Sequence, residues 1–321
     1  HFSGTGTVEG ALGRHKSVHA AEIDSSAINA YNKAHGTDYK PQNVLDVDPQ
    51  EVKKADFYHA SPVCKNLSCA KKGAKIDDLD QASADKVVQV IEEAEPPALS
   101  IENVPGYQKT VLFDQIAEAL TRKGYTWDVG VYNAAEYGGA QNRSRMILRA
   151  TKAPELPPLP DKTGFRDWFE TVEDLIDDAP DSKVPTWELT RLQKAIDSGR
   201  IDPRKPIITM GGSAFRGVAS ATNAGKAAPT LTATPKAVPR IILPDGRIKR
   251  VTGPMMRRLM GLSDDFAIPD NWHQAKSVLG NGVHGSITES FIAPLAAQGK
   301  ALRQVGTAQA VSGKALAKGK K

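Results

Sequence analysis

Asp56-Phe57-Tyr58-His59-Ala60-Ser61-Pro62-Val63-Cys64-Lys65-Asn66-Leu67-Ser68 is the stretch on which the fold turns. Its first five residues read as a short strand, and Pro62 breaks it because proline lacks the amide that a ladder needs. A cysteine stands just past the break. In an open α/β sheet, ligands and reacting groups gather at the carboxyl ends of parallel strands, so a thiol there is placed for nucleophilic chemistry. Free cysteine is also among the most buried residue types and often serves as a small core hydrophobe, so Cys64 alone does not decide between the two readings. Lys65 to Gln81 is polar, lysine-rich and aperiodic, the composition of an active-site loop that closes over a ligand.

Upstream, His1-Phe2-Ser3-Gly4-Thr5-Gly6-Thr7 has the form of the glycine-rich turn after the first strand of a nucleotide-binding βαβ unit, and that strand is expected before His1. Ser17 to Asp24 reads as the next strand. It carries Glu22 about 20 residues on, where a carboxylate accepts both hydroxyls of a ribose. A helix follows with Ala27, Ile28, Tyr31 and Ala34 on one face, then a strand end at Asn43 to Val47 carrying Asp46. Downstream, Ser83 to Ala94 is expected to be helical, with Ser83 as its cap and Val87, Val90, Ile91 and Ala94 at core spacing. Ala98 to Asn103 is a buried strand whose end bears Glu102, an acid that costs stability there unless it is paired or functional. Val111 to Arg122 is an amphipathic helix, and Thr126 to Asn133 is expected to pair with Arg145 to Ala150. This alternation predicts an α/β protein with a doubly wound sheet and a late antiparallel pair.

Among 321 residues, 40% are apolar and 25% charged, and the net charge is +5. That composition is globular and leans mildly towards polyanionic partners, although a merely soluble basic surface accounts for it equally well. The two cysteines, Cys64 and Cys69, form neither a disulfide framework nor a metal site, which fits a reducing cytoplasm. No apolar run approaches the roughly 20 residues of a membrane span. A cytoplasmic, monomeric protein without metal or membrane partner is the expectation.

The motifs taken together resemble the DNA cytosine-5 methyltransferases. They run in the family's order: Phe2, Gly4 and Gly6 as Phe-x-Gly-x-Gly; Glu22 after the second strand; Ser61-Pro62-x-Cys64-x-x-x-Ser68; Glu102-Asn103-Val104; Gln141-x-Arg143-x-Arg145; and Gly280-Asn281-Gly282-Val283. Val63 stands where the family usually has the proline before its cysteine, Thr7 replaces a second glycine, and Met255 stands where the penultimate motif usually has glutamate.

The resemblance implies a class I fold that binds S-adenosylmethionine and acts on double-stranded DNA, with the target cytosine swung out of the helix. It implies Cys64 as the nucleophile at C6, Glu102 as the acid at N3, Arg145 steadying Glu102 and contacting cytosine O2, and Arg143 supporting the cysteine region. Taken in isolation, either arginine reads as half of a surface ion pair. For the cofactor the resemblance implies Phe2 against the adenine, Gly4 and Gly6 at the methionine end, and Glu22 on the ribose. Asp46 would meet the adenine amino group, Ile23 the ring, and Asn281 and Val283 would close the pocket. Residues 1–153 with 274–300 would form the catalytic unit and 154–273 a smaller, mostly β or irregular target-recognition unit. Residues 301–321 would be a disordered basic tail. An RNA cytosine-5 methyltransferase and an inactive DNA-binding relative stay open as alternatives.

Overall fold

The computed structural model describes residues 1, 6–12, 19–63, 76–211 and 220–318, giving the backbone alone for Ala11 and 306–318; Phe2, Gly4 and Cys64 lie outside the described residues. In chain order the elements are α1 (Thr7–Leu12), α2 (Ser25–His35), β1 (Tyr58–Ala60), α3 (Asp78–Glu93), β2 (Ala98–Asn103), α4 (Val111–Arg122), β3 (Thr126–Asn133), β4 (Ser144–Thr151), α5 (Trp168–Val172), α6 (Thr186–Asp197), β5 (Ile207–Thr209), β6 (Ala221–Asn223), β7 (Arg240–Ile242), β8 (Ile248–Arg250), α7 (Gly253–Leu259), α8 (Trp272–Asn281), α9 (Gly285–Ile287) and α10 (Ala293–Lys318).

The first sheet has the order β1-β2-β4-β3. β1 and β2 are parallel, with Ala60 beside Ile101. β4 runs antiparallel to both β2 and β3, pairing Glu102 with Ile147 and Tyr132 with Arg145. The late antiparallel pair is therefore present, with β4 inserted between the two strands that run the other way.

Alternation along β2 sorts its side chains between two faces. Leu99 and Ile101 join Val87, Val90 and Ile91 of α3 and Leu112, Ile116 and Leu120 of α4 in one buried cluster. Ser100 and Glu102 point the other way, towards the side on which Ile147 packs with Val8, Val283, Phe291 and Ile292. α10 covers that side so closely that a Cβ on Gly299 would lie 2.3 Å from Asp56 O. Helices thus cover both faces of the sheet, and the chemistry-bearing side chains of β2 lie on the face opposite α3 and α4.

Four local expectations are corrected. α3 begins at Asp78, not at Ser83, because Asp77 and Asp80 form a reciprocal capping box; Ser83 is buried inside the helix and donates to Leu79 O at 2.8 Å. Asn43 to Val47 is a turn of 3₁₀ helix over Val44–Asp46, in which the Asn43 side chain accepts the Leu45 amide. Residues 19–24 form no strand; Gln42 N donates to Glu22 O at 2.8 Å in place of a ladder. Finally, the backbone beyond Lys300 is helical through Lys318. That stretch is alanine-rich and free of proline, and Arg303 docks it by donating to Lys53 O at 3.0 Å and Ala55 O at 2.5 Å.

The second sheet, β6-β5-β7-β8, is antiparallel throughout. Its β7–β8 hairpin turns at Gly246, whose φ of 88° suits glycine. Trp168 is fully buried against this unit and donates from Nε1 to Asn223 O at 2.9 Å. Met255 and Met256 of α7 share the same core as Ile208 and Ile241.

Candidate active site

The carboxyl ends of β1, β2 and β3 and the start of β4 meet at one edge of the first sheet. Glu102 is 4% exposed there. Because Glu102 pairs with Ile147, Arg145 two residues away along β4 is its diagonal neighbour on the same face. The Arg145 Nε lies 2.9 Å from Glu102 Oε1, and both side chains are largely buried. A charge-assisted bond in that setting orients the carboxylate firmly, and removing either partner would strand the other.

Asn103 has a part that sequence reasoning missed. Its Nδ2 donates to Pro62 O at 3.0 Å, and its Oδ1 accepts the Val104 amide at 2.8 Å. The end of the glutamate strand is thereby tied to the segment that leads directly into Cys64. The adjacency of Glu102 and Asn103 was the available signal. On the Glu102 face, His59 Nδ1 lies 2.7 Å from Ser100 Oγ and its Nε2 3.2 Å from Ser61 Oγ, so the strand before the cysteine is also pinned laterally.

Arg143 makes contacts that the sequence did not announce. It is fully buried, and among the described residues its guanidinium donates to Leu231 O at 3.0 Å, Gly280 O at 2.9 Å and Gly282 O at 2.7 Å. It braces the late glycine turn; the cysteine region that it was expected to support lies, from Cys64 on, outside the described residues. Burial first, then the nearby Arg145 charge, works against the Arg143 cation, while Glu102 favours it. Three carbonyls supply acceptors for Nη1 and Nη2 of the buried fork, while Nε has none among the described residues.

A second group of residues gathers around Gly6. Gly6 has φ 75°, and a Cβ on it would strike His35 Nε2 at 2.4 Å and the Tyr31 ring at 2.6 Å, so only glycine fits. Tyr31 also packs with Ala20 and Ile28, while Ala21 packs with Val44 and Val47. These contacts gather the Gly6 turn, the Glu22–Ile23 pair and the Val44–Asp46 turn. Glu22 Oε1 accepts the Asp24 amide at 2.9 Å. Ile23 is 69% exposed and Asp46 is exposed. An uncovered isoleucine beside two acids and a glycine turn suits a nucleoside, with an apolar contact for a ring and acceptors for hydroxyl and amino groups. Asn281 is exposed and ends α8, and Val283 is buried. Thr7, the residue in place of the usual second glycine, accepts the Val283 amide on Oγ1 at 3.1 Å and so joins the first turn to the last.

His284, next along, was not singled out from sequence. Its ring occupies a slot in which a Cβ on Gly261 would come within 2.8 Å and one on Gly139 within 2.9 Å of Cε1. Nδ1 accepts the Ser286 amide at 3.1 Å, so the proton resides on Nε2 and is donated to Leu259 O at 3.1 Å. Burial, then the Arg143 charge, pushes the imidazole down to about 3, and His59 is pushed the same way, chiefly by burial. A folded-state value below the unfolded one of about 6.5 means that unfolded chains bind the proton first, so stability is complete above pH 6.5 and falls as pH drops. Urea unfolding at pH 7.5, 6 and 5 should show this loss, approaching about 1.4 kcal/mol per pH unit for each such histidine. His284→Gln should remove one histidine's share of the slope; an unchanged slope would refute the buried neutral ring.

Among the arginines of residues 154–273, Arg191 lies over the Trp187 ring at 5.0 Å, Arg204 pairs with Asp202, and Arg216 lies outside the described residues. Arg258, in the stretch resembling the penultimate motif, is held by Asp264 at 2.7 Å and Asp174 at 2.6 Å, which fastens α7 to the turn after α5. No helix of the described residues is long and apolar enough to cross a membrane.

Type II methyltransferase M.NgoBI of Neisseria gonorrhoeae is 26% identical to this chain over 302 residues, covering 90% of this chain and 89% of that protein. M.HaeII of Haemophilus aegyptius is 25% identical, covering 84% and 82%. The match to M1.BsuMI of Bacillus subtilis, at 29% identity, covers 42% of this chain and 36% of that protein. Among solved structures, the methyltransferase EhMeth of Entamoeba histolytica aligns with TM-score 0.65 at 17% identity over 92% of this chain and 95% of that one. The S. pombe Dnmt2 methyltransferase gives 0.64 at 16% over 92% and 96%. The fold is that of the class I S-adenosylmethionine-dependent methyltransferases. The model of the C-5 cytosine-specific DNA methylases matches residues 2–295, from the first glycine turn through the last, and this chain belongs to that family.

Proposed function

We propose that the protein is a DNA cytosine-5 methyltransferase that works through a covalent adduct between Cys64 and C6 of a flipped cytosine. The observation that supports this most is the Glu102–Arg145 pair at the end of β2, on the face that Val8 and Val283 also line, with Asn103 gripping the segment before Cys64. When bound, S-adenosylmethionine supplies an electrophilic methyl; Gly4, Gly6, Glu22, Ile23, Asp46, Asn281 and Val283 would hold it, with Phe2 against the adenine. The Cys64 thiolate adds at C6, and the ring electrons become available at C5 as an enamine. Charge pushed onto N3 and O2 is met by a proton or hydrogen bond from Glu102 and by the Arg145 guanidinium. Once C5 has taken up that methyl and become saturated, loss of the C5 proton to a solvent base expels the thiolate from C6 and restores the aromatic ring.

The attack comes from above the ring plane, which stacking blocks in a duplex, so the base must leave the helix at a cost of about a few kcal/mol. Residues 154–273, with their antiparallel sheet, are the part we assign to target reading. The test is transfer of labelled methyl to mixed-sequence duplex DNA and, separately, to tRNA, followed by bisulfite mapping. Methylcytosine at a fixed sequence in DNA is the expected result. Transfer to tRNA alone would overturn the DNA assignment, and binding of duplex without transfer to either would identify an inactive relative.

A further inference from the structure

The Gln141-x-Arg143 pair grips both backbone groups of a single residue. Leu231 N donates to Gln141 Oε1 at 3.0 Å, and Leu231 O accepts from Arg143 Nη1 at 3.0 Å. Leu231 is 1% exposed and lies in the segment between β6 and β7 of the second sheet. The other arm of the same guanidinium, Nη2, holds Gly280 O at 2.9 Å and Gly282 O at 2.7 Å. The next amide, Val283 N, ends on Thr7 Oγ1, one residue after Gly6. The two regions also touch directly: a Cβ on Gly280 would lie 2.4 Å from Ala233 N.

One buried cation therefore spans from the second sheet's connecting segment to the turn beside Gly6. If either end shifts alone, a charged donor in a dry seam loses an acceptor, and such losses are among the costly ones. A lysine could serve one end only, since its ammonium is a single point where arginine is a two-armed fork.

We propose that Arg143 is a positioning residue that couples occupancy of the methyl-donor pocket to the seating of the DNA-reading segment, so that each ligand tightens the other. This inference rests on the reading given under Proposed function. A donor that immobilises the Gly280–Val283 turn fixes Leu231 through Arg143, and DNA that immobilises the 229–234 segment fixes the turn by the same bonds.

The test measures the dissociation constant of S-adenosylhomocysteine with and without saturating unmethylated duplex of mixed sequence, on the full chain. Wild type should bind it about tenfold more tightly with the duplex, within the usual range of coupling. In Arg143→Lys that ratio should fall to about one to two. A merely structural defect would weaken both measurements and leave their ratio in place. Thr7→Val should lower the ratio as well and Thr7→Ser should restore it, which decides the matter even if Arg143→Lys does not fold. A wild-type ratio of one, or a ratio unchanged in Arg143→Lys or in Thr7→Val, would overturn the coupling. A wild type that methylates DNA with a ratio of one defeats this inference alone, whereas one that couples the two ligands yet transfers no methyl defeats the catalytic reading alone.

Discussion

Cys64→Ala should lower methyl transfer to duplex DNA by about five orders of magnitude, while duplex binding stays within about threefold of wild type. The size follows from the substrate. C5 of cytosine is a poor nucleophile, and without addition at C6 nothing converts the ring into an enamine. Removing a covalent nucleophile therefore removes the route itself and not one contact along it. Each factor of ten corresponds to about 1.4 kcal/mol of barrier, so the thiol is being asked for about 7 kcal/mol. Cys69→Ala is the internal control for the thiol, expected to keep its rate within about twofold because the proposed mechanism asks nothing of its sulfur. Duplex containing 5-fluorocytosine should trap a stable adduct with wild type and none with Cys64→Ala. A residual Cys64→Ala rate within tenfold of wild type, or a trapped adduct that survives the substitution, would remove Cys64 from the mechanism.

The parts of this molecule that were legible in the sequence are those where one periodic signal governs a long segment. α4 falls on Val111–Arg122, because its apolar residues recur at helical spacing with Thr110 as a cap. β2 and β4 were legible for a similar reason, since a continuous buried run has few other solutions. Short elements governed by side-chain to backbone bonds were not. The start of α3 is set by Asp77 and Asp80, a signal diluted among the polar residues before it. The Val44–Asp46 turn depends on the Asn43 side chain, which competes with strand pairing.

Within the site, Glu102 was conspicuous because an acid ends an apolar strand, and its pairing with Arg145 follows from the register of β2 against β4. The role of Arg143 was hidden for the opposite reason. Its acceptors are backbone carbonyls at Leu231, Gly280 and Gly282, and a carbonyl leaves no trace in side-chain identity. Thr7 reads as a departure from a glycine pair until the Val283 amide is seen to need its hydroxyl.

Glu102→Gln should reduce methyl transfer by about 10² to 10⁴, the usual range for losing a positioned acid. The substitution keeps the shape of the side chain and the acceptor facing Arg145 Nε, now 2.9 Å from Glu102 Oε1, but removes the charge and the ability to pass a proton. The Arg145 guanidinium, 16% exposed, then loses its ionic partner, so a modest loss of stability should accompany the loss of rate. Exchange of the C5 hydrogen of cytosine with solvent separates the causes. It requires the thiol addition and the charge support at N3 but no methyl donor, so Glu102→Gln should suppress exchange and transfer together. A substitution that harms only donor binding, such as Glu22→Gln, should lower transfer at limiting donor and leave exchange intact. Arg145→Lys should fall between wild type and Glu102→Gln, since a lysine keeps a charge near the carboxylate without the planar fork that holds its direction. Transfer by Glu102→Gln within about threefold of wild type would mean that the buried pair only holds β2 to β4, because loss of a transition-state contact must appear in the rate.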